Sequence, residues 1–259
     1  MIKSELKKLL DIVKELDKKV VVVFLAVAVL QTISWYYTSR MFFRANIFNR
    51  LEYFPNIYLI EYLYWFIGDF FVFFILSALI IKFVLKEKVK AYGLTVGDFS
   101  VGIKFTLLFL VIMVPIVWVV SSYPEFAATY PQYKSARESW VTFFIFETGM
   151  LIYMFAWEFI WRGFMLFGLE KKFGYYTVFI QMIPFLILHN GKPAGETFGA
   201  IIAGVALGVL ALRTRSFLYG VIIHEAVMFS INLFSTLRYK AGDYGIGINS
   251  MIKLVKEIF

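Results

Sequence analysis

Long apolar runs separated by short polar stretches dominate the pattern of this chain. A run of about 18 apolar residues marks a membrane-spanning helix, and several of the runs are longer than that. The pattern predicts an all-α polytopic membrane protein, a bundle of seven or eight transmembrane helices with an intramembrane polar cavity. The predicted spans are at about 20–39, 58–85, 102–121, 139–169, 175–190, 197–213 and 217–236, with a further short or interfacial helix at 247–259.

The first nineteen residues show a different pattern. Their apolar residues repeat at helical spacing, with lysines on the opposite face, which indicates an amphipathic helix lying on the membrane surface. We therefore divide the chain into an amphipathic surface helix at 1–19 and a single transmembrane helical domain at 20–259. The apolar face consists of Ile2, Leu6, Leu9, Val13 and Leu16.

Composition supports the membrane assignment and removes several chemistries. Hydrophobic residues make up 61% of the 259 residues, against roughly 45–50% in soluble domains. The net charge of +8 comes from basic residues that mostly flank the apolar runs, so we expect membrane lipid and no nucleic acid as a partner. The chain has no cysteine, which excludes disulfides, thiolate catalysis and cysteine metal sites.

Basic residues concentrate in alternate connections between the predicted spans. This bias favours a cytoplasmic N-terminus, and we expect an integral membrane protein of a prokaryotic cell membrane. Gly204 and Gly208 form a GxxxG element in the sixth span, which predicts a close helix–helix contact.

Ionisable residues at membrane depth are costly and mark candidate functional groups. Glu158 and Arg162 are four residues apart, so they share a helix face and can pair. Glu147 lies about three turns before Glu158 and can face the same interior as a packing or cavity residue. The full set is Glu61, Asp69, Glu147, Glu158, Arg162, His189, His224 and Glu225.

Glu61 and Asp69 are the two carboxylates of the second span. They are better suited to lining a cavity or locking helices than to reacting. Glu158, His189 and His224 lie on three different spans and can together hold and activate a water molecule. The same three residues are also a candidate metal set, since two histidines and a carboxylate bind catalytic zinc. No serine lies in a nucleophile elbow.

His224 and Glu225 begin like the zinc-protease motif HExxH, but Met228 stands where its second histidine belongs, so that motif fails. A metal-dependent mechanism with Glu158, His189 and His224 as ligands and a mechanism that requires no cofactor both remain open.

Three segments resemble the motifs of the CAAX-protease and bacteriocin-processing family, also called CPBP or Abi. The stretch from Glu158 to Arg162 resembles EExxxR, Phe185 to His189 resembles FxxxH, and His224 stands where HxxxN begins. The resemblance covers about residues 90–235.

The resemblance implies an all-helical bundle with a cavity inside the membrane, and cleavage of peptide bonds in prenylated CAAX proteins or similar substrates. It also implies that a glutamate and a histidine activate water, while the last histidine and an asparagine stabilise the oxyanion. Two residues depart from the motifs: Trp157 replaces the first glutamate and Met228 replaces the asparagine. Asn232 lies one turn past the expected position.

Two classes of function follow. The first is an intramembrane endopeptidase in which Glu158 is the base that activates water, His189, His224 and Arg162 complete the site, and a peptide or protein is the substrate. The second is a catalytically inactive relative that uses the same cavity to bind a partner helix or peptide. Trp157 and Met228 favour the second class, and the retained glutamate and two histidines favour the first.

Overall fold

The computed structural model describes residues 2–258. All secondary-structure elements of these residues are helical, and none is a strand. The α-helices are α1 (Ile2–Glu15), α2 (Lys18–Ile33), α3 (Arg40–Asn46), α4 (Phe48–Leu51), α5 (Ile57–Asp69), α6 (Ser77–Leu79), α7 (Phe99–Val120), α8 (Pro124–Thr129), α9 (Trp140–Glu158), α10 (Leu166–Phe173), α11 (Thr177–Ile187), α12 (Ala194–Thr214), α13 (Leu218–Ala241) and α14 (Ile248–Lys256). Between them lie π-helical segments at Ser34–Thr38, Phe70–Leu76, Ile80–Val84 and Phe159–Met165, and 3-10 turns at Val89–Tyr92, Lys134–Arg137 and Gly174–Tyr176.

Six helical stretches within residues 2–258 are long and apolar enough to cross a membrane, which confirms a polytopic helical membrane protein. These are six stretches where seven or eight spans are predicted, because the predicted helices at 139–169 and 175–190 are joined in one stretch of 48 residues. The segment at 247–259 adds no span, since α14 has nine residues. The six stretches are Lys18–Asn46, Ile57–Val84, Phe99–Val120, Trp140–Ile187, Ala194–Thr214 and Leu218–Ala241.

The fourth stretch contains two antiparallel helical arms. Its 48 residues would reach about 72 Å as one straight helix, more than twice the hydrocarbon thickness of a bilayer. Gly174 has a φ of +55° and reverses the chain between α10 and α11. The ring of Phe185 on α11 then lies 6.0 Å from that of Trp157 on α9. This reversal brings the second motif back to the first.

Helix α1 is exposed along its whole length, with no buried residue among those described. Asp17 ends the connection to α2 by accepting a hydrogen bond from the backbone N–H of Val20 at 3.1 Å, as expected of an N-cap. The attachment of α1 to a membrane surface stays a prediction.

An aromatic core joins α5 to α9 and explains part of the high phenylalanine content. The ring of Phe146 lies 5.4 Å from that of Tyr62 and 5.6 Å from that of Phe66. Tyr153 extends the same cluster about two turns further along α9, with its ring 5.5 Å from that of Phe66. Such edge and tilted ring contacts fix the rotation of α9 about its axis and its position along α5. They therefore position the first motif, which α9 carries.

Two buried carboxylates on α5 lock it to its neighbours. Glu61 accepts hydrogen bonds from Nε of Arg40 at 2.6 Å and from Nε of Arg44 at 2.9 Å. Asp69 accepts from the hydroxyl of Thr38 at 2.5 Å and from the indole N–H of Trp65 at 2.8 Å. Of the two predicted roles, locking is the one that the structure shows.

The GxxxG element packs α12 against α11, which confirms the predicted close contact. A Cβ atom added at Gly204 would lie 2.6 Å from Cγ of Met182, and one at Gly208 would lie 2.9 Å from Nε2 of Gln181. Gln181 also donates to the backbone carbonyl of Gly204 at 2.8 Å. The absence of side chains at these two positions lets the backbones approach.

Candidate active site

Glu158 and Arg162 form a fully buried ion pair at the start of the π-helical segment. Nη1 of Arg162 donates to Oε1 of Glu158 at 2.9 Å, and neither side chain is exposed. The predicted pairing is therefore confirmed. The guanidinium also lies 3.9 Å from the centre of the Phe185 ring, which compensates for part of its lost hydration.

His224 on α13 binds the same carboxylate oxygen. The Nδ1 atom of His224 is 2.8 Å from Oε1 of Glu158. A carboxylate paired with a guanidinium only accepts hydrogen bonds, so Nδ1 carries the hydrogen and donates it. The contact leaves Nε2 of His224 as the nitrogen available for other chemistry.

His189 lies in the turn that follows α11, next to His224. Its Nδ1 atom is 2.8 Å from the backbone carbonyl of Phe185, and because a carbonyl only accepts, Nδ1 again carries a hydrogen. The imidazole rings of His189 and His224 are nearly parallel, with centres 6.5 Å apart. The fold thus brings both histidines of the chain to one place.

A cavity of about 110 Å³ opens beside these two histidines. His189, His224, Trp157 and Met228 line it, together with Trp65, Gln132, Met150, Tyr153, Met154, Leu188, Lys192 and Glu196. Glu158 is in contact with His224 but is not among the lining residues. Its carboxylate therefore reaches the cavity through the imidazole of His224.

Trp157 occupies the cavity side of α9, while Glu158 points to α13. The indole is 7% exposed, and its ring lies 6.2 Å from that of His189 and 5.7 Å from that of Tyr153. Adjacent helix positions differ by about 100° in direction, which explains the divergence. An aromatic side chain thus stands where the family motif has its first glutamate.

Asn232 does not replace the asparagine missing from the third motif. Its side-chain amide donates to Oε1 of Glu147 at 2.8 Å, on the part of α13 beyond the cavity. The position of the motif asparagine is taken by Met228, which lines the cavity with a thioether. Glu147 faces the interior, as predicted, but binds Asn232 and not the histidines.

Two residues contribute to the geometry of the site in ways that the sequence did not reveal. Phe185 supplies the carbonyl that orients His189 and the ring that covers Arg162. Gly220 lets Glu158 approach α13, since a Cβ atom there would lie 2.7 Å from Oε2 of Glu158. In the sequence, Phe185 is visible only as the first residue of the second motif, and Gly220 only as a glycine one helical turn before His224.

The predicted metal ligands do not form a three-donor set. Glu158 binds Arg162 and Nδ1 of His224 through one oxygen and does not line the cavity that both histidines line, so the carboxylate and the two imidazoles do not open onto one ion position. Within residues 2–258, no group of three histidine, aspartate or glutamate side chains is arranged to hold a metal ion. The residues present therefore do not fit a catalytic zinc site.

The fold and the site define a class: a polytopic helical membrane protein with a glutamate, an arginine and two histidines buried beside a small cavity. Residues 138–230, which include all three motifs, match the family model described as "Type II CAAX prenyl endopeptidase Rce1-like". This match supports membership of the CAAX-protease and bacteriocin-processing family and confirms the resemblance. No curated protein and no solved structure matches the chain.

Proposed function

We propose that the protein is an intramembrane endopeptidase of the CAAX-protease type, in which His224 is the general base and Glu158 its positioning residue. The observation that carries the proposal is the hydrogen bond of 2.8 Å between His224 and the Glu158 carboxylate, which is also paired with Arg162. A carboxylate in this place fixes the tautomer of a histidine and stabilises its protonated form, as in other hydrolytic sites.

The reacting water is held between the two imidazoles in this mechanism. Both Nδ1 atoms are occupied by Glu158 and by the carbonyl of Phe185, so each neutral ring offers Nε2 as an acceptor. The ring centres are 6.5 Å apart and both rings line the same cavity, which is where this mechanism places the water. His224 takes a proton from this water as its oxygen attacks the peptide carbonyl, and the imidazolium then protonates the leaving amine.

Water activation of this kind requires no cofactor, and the donor arrangement favours it over zinc. The substrate is a peptide or protein segment that reaches the cavity from the membrane or its surface. The cavity of about 110 Å³ is smaller than the 300–1,000 Å³ of typical ligand sites, so the lining residues have to move apart to admit a peptide. We further propose that the N-terminus is cytoplasmic, based on the basic connections, and that the membrane is that of a prokaryotic cell.

A second candidate, a catalytically inactive relative that binds a partner helix or peptide, is favoured by Trp157 and Met228. The indole lines the cavity beside His189, and the side chain of Met228 has no N–H to stabilise an oxyanion. Loss of one such donor costs about 10²–10³ in rate. In this alternative the buried ion pair serves the packing of α9 against α13.

The test is cleavage of a broad peptide library by the purified protein in detergent. We expect the parent to cleave with or without a chelator, and His224→Asn to lower the rate by about 10²–10⁴, the usual contribution of a general base. Asparagine can still donate to Glu158, so Arg162 keeps its partner. Ser230→Ala, on the same helix and away from the cavity, is the matched control and should cleave like the parent.

The two candidates give different results in this assay. A parent that cleaves nothing, with activity only in the double variant Trp157→Glu with Met228→Asn, would refute the endopeptidase proposal and support the inactive relative. Parent activity that a chelator removes would instead refute the metal-free mechanism.

A further inference from the structure

Helix α1 presents an uncovered apolar face. None of its described residues is buried. The large apolar side chains between Ile2 and Leu16 are exposed by 51–82%. Soluble surfaces rarely keep a continuous apolar face of this kind open, and where one is present it marks a contact with a partner or a membrane. Something outside residues 2–258 therefore covers this face.

Lysines follow one border of the apolar face. At about 100° per residue, Lys3, Lys7 and Lys14 fall within an arc of about 40°. The ion pairs described within α1 involve Lys8 and Lys14, so Lys3 and Lys7 form none in the described residues. A lysine at such a border keeps its stem against apolar material while its ammonium reaches a polar layer. Helices that lie in a membrane surface have this arrangement.

Helix α1 leads to the basic end of the bundle. Nζ of Lys19 donates to Glu87 at 2.8 Å, which joins the start of α2 to the connection at 85–98. The backbone N–H of Asp98 donates to the carbonyl of Thr214 at 2.9 Å, which adds the end of α12 and the turn that follows it. The basic residues of these two regions are Lys86, Lys88, Lys90, Arg213 and Arg215. Positive charge is thus gathered where α1 meets the bundle.

We propose that α1 lies in the headgroup layer of a leaflet that contains anionic phospholipid, at the basic end of the bundle. Only Leu16 and Asp17 separate α1 from α2, and α2 begins the first membrane span, so the C-terminal end of α1 is held at the membrane surface. The apolar face enters the boundary between headgroups and acyl chains by about 5–10 Å. The phosphate charges then face the lysines of the border and of the connections.

Anionic lipid suits this surface better than a second copy of the chain does. The chain carries a net charge of +8, and the basic connections lie at the same end as α1. Two copies joined through α1 would therefore bring like charges together. A lipid leaflet covers the apolar face and neutralises the lysines at the same time.

The test uses spin labels on the full-length protein in bicelles of phosphatidylcholine, with or without phosphatidylglycerol. Because the chain has no cysteine, Val13→Cys and Glu15→Cys each give one label, and the two positions point about 160° apart. With phosphatidylglycerol, we expect the label at position 13 to be relaxed by oxygen and shielded from a water-soluble nickel chelate. The label at position 15, on the polar face, is the matched control and should show the reverse. This readout does not depend on peptide cleavage.

Charge variants test the part played by the anionic lipid. Without phosphatidylglycerol, or when Lys3→Gln and Lys7→Gln are added to Val13→Cys, the label at position 13 should become as open to the nickel chelate as the label at position 15. Salt should weaken the protection in the same direction, because it screens charges at the membrane surface. Lys3→Arg with Lys7→Arg keeps both charges and should preserve the protection.

Three results would each overturn the proposal. The first is equal exposure of the two labels to the nickel chelate in bicelles that contain phosphatidylglycerol. The second is equal protection of the label at position 13 with and without phosphatidylglycerol, because the anionic lipid then has no part in the contact. The third is spin–spin broadening that disappears when labelled protein is diluted with unlabelled protein, because a second copy then covers the face.

Discussion

At the scale of single residues, the site depends on one carboxylate oxygen with two partners. Oε1 of Glu158 accepts from Arg162 at 2.9 Å and from His224 at 2.8 Å. The guanidinium is fully buried, and the ring of Phe185 covers one of its faces. Removing Glu158 or Arg162 therefore leaves the other charge buried without its ion-pair partner.

Arg162→Ala tests this balance directly. The variant leaves the Glu158 carboxylate buried without its guanidinium, and we expect it to lose about 3–5 kcal/mol of stability. Chemical or thermal unfolding in the same detergent measures the loss. Arg215→Ala is the matched control, because its partner Glu170 and Arg215 itself are half-exposed, and such pairs contribute up to about 1 kcal/mol. Equal stability of the two variants would contradict the buried pair.

At the scale of helices, the close packing of α11 against α12 sets the position of the second motif, Phe185 to His189. α11 ends two residues before His189, and its position depends on the small residues Gly204 and Gly208 of α12. The same contact lets Gln181 reach the carbonyl of Gly204. His189 therefore owes its position to a helix pair that contains no catalytic group.

Gly204→Ala should separate these helices. The added Cβ would lie 2.6 Å from Cγ of Met182, and overpacking of this kind costs about 1–3 kcal/mol. Gly199→Ala on the same helix is the control, since a Cβ there meets nothing within 4 Å and alanine raises helix propensity by about 1 kcal/mol. We expect unfolding experiments to show a loss of stability for the first variant and none for the second.

At the scale of the whole molecule, Tyr130 forms a polar latch with Lys192 and Glu196, two residues that line the cavity. The hydroxyl of Tyr130 donates to Oε2 of Glu196 at 2.5 Å and accepts from Nζ of Lys192 at 2.8 Å. Burial and the Glu196 carboxylate raise the pKa of Tyr130 well above its usual range, so the hydroxyl keeps its proton. The latch joins the segment after α8 to the start of α12.

Tyr130→Phe removes this latch and keeps the ring. We expect faster hydrogen exchange of the amides in Pro124–Thr129, with a global loss of about 1 kcal/mol for the missing hydrogen bonds. Exchange mass spectrometry in detergent measures the first and thermal unfolding the second. Tyr175→Phe, at a highly exposed tyrosine, serves as the control. Unchanged exchange in Tyr130→Phe would show that other contacts hold the segment.

The sequence by itself determined the features that depend on neighbouring positions of one helix. The apolar runs fixed the membrane spans, because only helices satisfy the backbone inside lipid. The spacing of four residues fixed the pairing of Glu158 with Arg162, and the GxxxG spacing indicated a close contact. The ordered motifs also led to the family that the match over residues 138–230 supports.

Only the tertiary structure decided which groups of different helices meet. The bond between Glu158 and His224 joins positions 66 residues apart, and Phe185 reaches Arg162 from an antiparallel arm. Helices that are apolar on all sides carry little information about which face turns inward, and lipid gives them no hydrophobic force to select one. Rotation and contact are set by packing, which is why Trp157 faces the cavity while Glu158 reaches it only through His224.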